Sequence, residues 1–180
     1  MHNEKAFIEE LLNPKTQNEA FGKLVREYQK PLYSHIRNIA LNHDDTNDIL
    51  QNTFVKVFQN LKNFKGESKL FSWMYRIATN EAITFINQRA KKQGISSEEL
   101  QEKLVNNLEA DVDYDGDEIQ LKLQKAIATL PEKQQLVFKM KYFEELKYEE
   151  LSEILDTSVG ALKASYFHAV KKIEEFLNEH

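Results

Sequence analysis

The clearest alternation of apolar and polar positions runs from residue 44 to residue 92, where two helical patterns meet at Asn63-Phe64-Lys65-Gly66-Glu67-Ser68. In the first, Leu50, Phe54, Val57, Phe58 and Leu61 recur at i, i+4, i+7, i+8 and i+11, which puts them on one helical face. Asp48, Gln51, Asn52, Lys56 and Gln59 fall on the other side. In the second, Leu70, Met74, Ile77, Ala78, Ile83 and Ile86 make the apolar side, and Arg76, Asn80, Thr84, Asn87 and Lys91 form a separate polar stripe. Each helix therefore offers one face to a core and one to something outside the chain.

The same reading extends to both sides. Residues 4–13 predict a short amphipathic helix stopped at Asn13-Pro14. Residues 19–42 carry Phe21, Leu24, Val25, Tyr28, Leu32, Ile36, Ile39 and Ala40 at helical spacing, with Pro31 expected to bend or divide the run. Asp44, Asp45 or Thr46 is expected to cap a helix starting near Asn47. The next helix runs from about Ser68 to about Lys92, and Gly94 ends it. Ser96-Ser97-Glu98-Glu99 has capping-box spacing for a short helix reaching about Leu108.

Residues 109–118 then have few apolar positions and dense negative charge, as a linker does. Beyond it, Ile119, Leu123, Ala126, Ile127 and Leu130 share a face, and Pro131 suits the first turn of the helix that follows. Residues 148–155, the tight connection Asp156-Thr157-Ser158, and residues 159–177 read as a helix-turn-helix with the last helix as recognition helix. Val159, Leu162, Tyr166, Ala169, Val170, Ile173 and Leu177 give that helix its inward stripe. The predicted fold is all-α: two small helical domains, 1–93 and 118–180, joined by a flexible acidic linker, 94–117.

Composition narrows the classes. Five Gly and three Pro in 180 residues argue against a turn-rich β architecture. The absence of cysteine excludes disulfides, thiolate metal sites and a cysteine nucleophile, and fits a cytoplasmic chain. No apolar run is long enough to span a membrane, and the N-terminus lacks a signal-peptide pattern. The net charge of −5 is unevenly spread. Residues 1–93 carry 14 Lys and Arg against 10 Asp and Glu; residues 94–118 carry one Lys against nine acids; residues 119–180 carry nine Lys against ten acids. The acidity sits in the middle and leaves the N-terminal part mildly basic.

The stretch DxxDILQNTFVKVFxNLxxFKGESKLFSWMYRIATN closely resembles the second conserved region of bacterial sigma factors, in the small extracytoplasmic-function branch of the sigma-70 family. LPEKQQLVFKMKYFEELKYEELSEILDTSVGALKASYFHAVKKIEEFL resembles the fourth region, and the two matches follow the family's order. The resemblance implies that Asp48, Gln51, Asn52 and Lys56 dock on the clamp helices of the RNA polymerase β′ subunit, with the β subunit also contacted. A mixed acidic and amide face suits a basic helix pair.

It further implies that the loop and helix around Phe64, Ser68 and Asn80 hold a base flipped from the −10 element, with Lys65, Lys69, Arg76 and Lys91 on phosphates. Trp73 is assigned mainly to the core, and Tyr75 stays open. On the last helix, Lys163, Ser165, Phe167, His168, Lys171 and Lys172, with Ser158 at its start, become −35 contacts. This segment has no arginine where the family has several, and lysine reads base edges less geometrically. The implied function is promoter recognition and opening for transcription initiation, without catalysis by this chain and without a cofactor; an anti-sigma factor is an expected partner.

Two other classes were weighed. A free-standing helix-turn-helix regulator explains residues 148–177 but leaves the paired faces of 44–92 idle. A metal-dependent nucleic-acid hydrolase needs converging carboxylates, which the sequence scatters over helix faces or gathers in the linker. In that linker Asp111, Asp113, Asp115 and Gly116 match the start of a calcium loop, but Lys122 stands where the bidentate Glu belongs. The five histidines form no helix-spaced ligand pair, so no metal site is expected.

Overall fold

The computed structural model describes residues 3–111 and 114–180, and among them every regular element is helical. Helix α1, Glu4–Leu12, starts at Asn3, whose side chain accepts from the Lys5 N–H, and stops at Asn13. Helix α2, Gln17–Ala40, runs unbroken through Pro31, so the expected division does not occur. Only one N–H is missing there, and Leu24, Leu32 and Ile36 on either side hold the helix to the core. Helix α3, His43–Asn60, begins earlier than expected. Its cap is Asn42, whose side chain accepts from the Asp45 N–H at 2.9 Å, while Asp44 and Asp45 lie inside the first turn.

Helix α4, Leu70–Gln93, has no side-chain cap from Ser68; the Leu70 N–H donates instead to the Glu4 carboxylate of α1. It ends at Gly94, whose φ of 69° lies in the left-handed region that glycine enters freely. Helix α5, Ser97–Asn106, opens with the expected capping box between Ser96 and Glu99. Four helices follow: α6 (Glu118–Ala128), α7 (Glu132–Tyr142), α8 (Tyr148–Leu155) and α9 (Val159–Glu179).

One apolar cluster belongs to the N-terminal half, where Leu24, Val57, Leu61, Leu70 and Met74 pack with Leu11. Another belongs to the C-terminal half, where Ile127, Leu130 and Phe138 pack against Ala169 and Ile173. The segment 94–111 is not a bare tether. Leu100, Leu104 and Val105 of α5 bury against Leu41 and Ala90, and Asp111 pairs with Arg37 of α2 at 2.7 Å.

The remaining cluster joins the halves. Leu32, Ile36, Tyr75, Ala78 and Ala82 from α2 and α4 pack against Leu136, Val137, Met140, Leu151 and Ile154 from α7 and α8. Each such aliphatic side chain withdrawn from water is worth roughly 1.5–3 kcal/mol. At the edge of this shared core lies His35, fully buried, with Nδ1 at 2.8 Å from the Glu144 carboxylate and Nε2 at 2.7 Å from the Thr79 hydroxyl. A carboxylate only accepts, so Nδ1–H is the donor to Glu144. The ring also packs on Tyr75 (4.7 Å between centroids), whose hydroxyl burial pushes well above its ordinary pKa.

Helix α7 is buried on almost every side, since it lies between the two clusters. Lys139 on it is 3% exposed, and desolvation pushes its ammonium down to about 8.

Two outcomes are expected. His35→Ala leaves Glu144 and Thr79 without their buried partner and opens a cavity, destabilising the fold by roughly 2–4 kcal/mol in urea unfolding; a change below about 0.5 kcal/mol would mean the bridge carries no stability. Lys139, ordinary when unfolded but depressed when folded, binds fewer protons in the folded state between pH 8 and the unfolded value. Stability should therefore climb as pH rises through that window. Lys139→Met should be more stable at neutral pH by roughly 2–3 kcal/mol and should lack the climb; parallel pH profiles for the two proteins would contradict it.

Candidate polymerase and promoter-binding surfaces

Helix α3 buries Ile49, Thr53 and Val57 and turns the opposite side outward. Asp48, Gln51, Asn52 and Lys56 are all exposed there, at i, i+3, i+4 and i+8, so the structure gathers the predicted set on one face. Lys56 is tied to Glu81 of α4, which orients its stem along the stripe. Val55, at i+7 and 50% exposed, sits in the middle of this polar row. The sequence pattern did not single it out, although its place on the Asp48 stripe was an available signal. Phe58, read as core, is also partly exposed, edge-on to Phe21 at 5.0 Å.

The loop before α4 and the first turns of that helix hold the predicted −10 residues. Phe64 is nearly buried against Trp73, with ring centroids 5.0 Å apart, and both pack on Leu70 and Met74. Trp73 is thus half in the core, as its neighbours predicted. Tyr75 is wholly inside, its ring tilted against Phe71 with centroids 4.1 Å apart.

Phe64, Lys65, Ser68 and Arg76 border one open cavity of about 440 Å³. Asn80, one turn on, borders the neighbouring cavity of about 300 Å³ with Arg76. Lys65, Lys69, Arg76 and Asn80 are exposed and Ser68 is half-buried. Lys91 is exposed but lies 15 residues beyond Arg76, about 22 Å along the helix. It does not join this cluster.

The far walls of both cavities come from the C-terminal half. Ser152, Glu153 and Asp156, from α8 and the turn after it, close the first, and Glu132, Ile154 and Asp156 border the second. Arg76 reaches Asp156 at 3.9 Å. The face that carries Arg76 and Asn80 therefore remains open to solvent but borders clefts whose opposite wall is α8 and the turn after it. The sequence contains no sign of this, because the contacting residues are about eighty positions apart.

Helix α9 starts at Ser158, whose hydroxyl accepts from the Ala161 N–H at 3.2 Å, and Asp156 makes the sharp turn before it with φ of 50°. Lys163, Phe167 and Lys171 recur every fourth residue on the exposed side, and His168 and Lys172 form the adjoining row. Phe167 is 65% exposed beside His168. Ser165 is half-buried at the edge of the packed side, less available than the other predicted contacts. Lys163 lies 5.7 Å from the Tyr148 ring, which Lys141 also covers, and Lys172 donates to Gln134 at 3.3 Å. Leu177, read as part of the inward stripe, is partly exposed.

Of the calcium-loop residues, Asp113 lies outside the described residues, and Asp111 is engaged with Arg37 and the His43 N–H.

Comparison with known proteins agrees with this architecture. Residues 24–92 match the family Sigma-70 region 2, and residues 120–173 match Sigma-70, region 4. The ECF RNA polymerase sigma-E factor of Haemophilus influenzae is 29% identical over 164 residues, covering 87% of this chain and 86% of that protein. The RNA polymerase sigma-H factor of Pseudomonas aeruginosa is 26% identical over 166 residues, covering 88% and 86%.

Among solved structures, CnrH in complex with the cytosolic domain of CnrY superposes with a TM-score of 0.69 at 19% identity, covering 98% of this chain and 97% of that one. The sigma factor RpoE in complex with the anti-sigma factor NepR from Bartonella quintana gives 0.64 at 18% identity, covering 88% and 96%. With both region families matched in order around a shared helical core, the chain belongs to the sigma-70 family, in its extracytoplasmic-function branch.

Proposed function

We propose that the tasks of this sigma factor are divided among the three surfaces described above. The outward stripe of α3, with Asp48, Gln51, Asn52, Val55 and Lys56, docks on core RNA polymerase. The loop from Phe64 to Lys69, together with Arg76 and Asn80, receives the −10 element, and Lys91 contacts backbone farther along. The exposed rows of α9 read the −35 element. The observation that carries this division is the pairing, in one chain, of a solvent-exposed polar stripe on α3 with a helix-turn-helix whose recognition helix is also free. A solitary DNA-binding regulator has no use for the first of these.

As a transcription initiation factor, the chain contributes binding energy to strand separation and leaves the chemistry of RNA synthesis to polymerase. It acts in the cytoplasm, where polymerase and promoters are; among the described residues no helix is long and apolar enough to cross a membrane.

The shared core sets an order of events. Arg76 and Asn80 face α8, so promoter opening requires α7 and α8 to leave α2 and α4. Polymerase can draw the halves apart by binding each separately, and an anti-sigma factor can hold them together. Of the two superposed structures, RpoE is in complex with the anti-sigma factor NepR and CnrH with the cytosolic domain of CnrY. Transcription by purified core polymerase on a genomic promoter library tests the whole reading: initiation from a defined promoter set only when the chain is added is the expected result.

Two variants separate the surfaces. Asp48→Lys combined with Val55→Asp should weaken core binding by roughly 10–100-fold, while shifting the unfolding free energy by less than about 0.5 kcal/mol, because both side chains face solvent. Unchanged core affinity would move the docking site off α3. For the −35 side, Lys171→Ala should weaken holoenzyme binding about equally on all promoters and lower the salt slope by about one, whereas Phe167→Ala should alter sequence preference at one position. A Lys171→Ala effect confined to particular promoters would identify a base contact instead.

A further inference from the structure

A cavity of about 500 Å³ includes none of the residues assigned to the surfaces above except Lys172, at its rim. It lies where the halves meet. Ile39 of α2, Ile83 and Ile86 of α4, and Leu130 and Leu136 from the C-terminal half form apolar walls, with α5 along one side. Its volume falls in the usual range for small-molecule sites, and apolar walls with few polar groups are the usual lining.

One polar group is out of keeping with these walls. Lys139 lines the cavity and is almost wholly buried, yet among the described residues its ammonium has no ion pair and no hydrogen bond. The nearby amides do not supply one, because Gln101 and Gln135 are bonded to each other and Gln135 also donates to the Leu130 carbonyl. Desolvation alone accounts for the lowered pKa of Lys139, with no carboxylate close enough to offset it. A charged group held in this way destabilises the fold unless an anion arrives to pair with it.

We propose that this cavity is a binding site for a small apolar monocarboxylate, such as an acyl acid, whose carboxylate pairs with the Lys139 ammonium while its hydrocarbon part fills the space among Ile39, Ile83 and Leu136. The acid supplies the missing counter-charge, and the walls supply apolar contact. Because those walls come from both halves, occupancy holds α2 and α4 against α7. The site is independent of the promoter-contact assignments. The other charged side chains at the cavity are Glu98 of α5, Glu132 of α7 and Lys172 of α9, all exposed at its rim. Helices α2 and α4 contribute only Ile39, Ile83, Ile86 and Asn87.

Calorimetric titration of the full chain with octanoate, and with octanol as its uncharged counterpart, tests the site. The expected result is saturable one-to-one binding of octanoate at neutral pH, at least about 10-fold tighter than octanol. That preference should disappear in Lys139→Met and persist in Lys172→Ala. In the unaltered protein it should fade as pH rises above about 8, the value to which the buried ammonium is depressed. The pH arm needs no variant, so it decides the matter even if Lys139→Met is poorly folded. Equal binding of octanol and octanoate, no binding of octanoate, or an undiminished preference at high pH would each overturn the assignment.

Discussion

The structure depends on one shared apolar contact, the packing of α7 and α8 onto α2 and α4. Tyr75, Ala78 and Ala82 give α4 a surface that is either covered by Leu136, Leu151 and Ile154 or exposed to water. Covering it is favourable by several kcal/mol in apolar burial alone. The His35 bridge to Glu144 and Thr79 adds direction, because a buried imidazole with two fixed partners tolerates only one registry of the halves. The arrangement that sets α8 across a cleft from Arg76 and Asn80 follows from this contact. So does the cavity around Lys139, which is space left where curved helical surfaces meet.

The two kinds of functional surface consequently stand in different situations. The α3 stripe and the outward rows of α9 are open, and a partner can meet them without disturbing the core. The proposed −10 residues Arg76 and Asn80 border clefts closed on the far side by α8, and in the proposed reading a DNA strand gains full access to them when the shared core is given up. A binding-competent state reached at a free-energy cost weakens apparent affinity in proportion to its population, so isolated protein should be a poor DNA binder. In the proposed reading polymerase removes that penalty by engaging the two halves at a wider separation.

Much of this was legible in the sequence where local rules decide. The span of α8, the Asp156-Thr157-Ser158 turn and the start of α9 follow from helical periodicity and capping. Ser96-Ser97-Glu98-Glu99 announced α5 through its capping box, and Gly94 marked the end of α4. The exposed face of α3 followed from spacing alone, although Val55, which shares that face, was not singled out. Local rules failed where tertiary contact decides. Pro31 does not divide α2, because packing on both sides holds the helix together. Asn42 displaced the acids after it as cap of α3. Glu144, in the connection between α7 and α8, is 109 positions from His35, and no local pattern anticipates their meeting. Nothing local to α7 shows that Lys139 is enclosed, because the helix is buried by both halves.

The most direct test of the account is the distance between the halves before and after promoter engagement. The chain contains no cysteine, so a pair of reporters can be placed without competition at Lys62→Cys and Glu174→Cys, on exposed positions of opposite halves. Energy transfer between them should show a single short separation in the free protein, and a longer one once core polymerase and promoter DNA are added. A free protein already at the longer separation would contradict the account. So would an initiating complex in which the short separation persists.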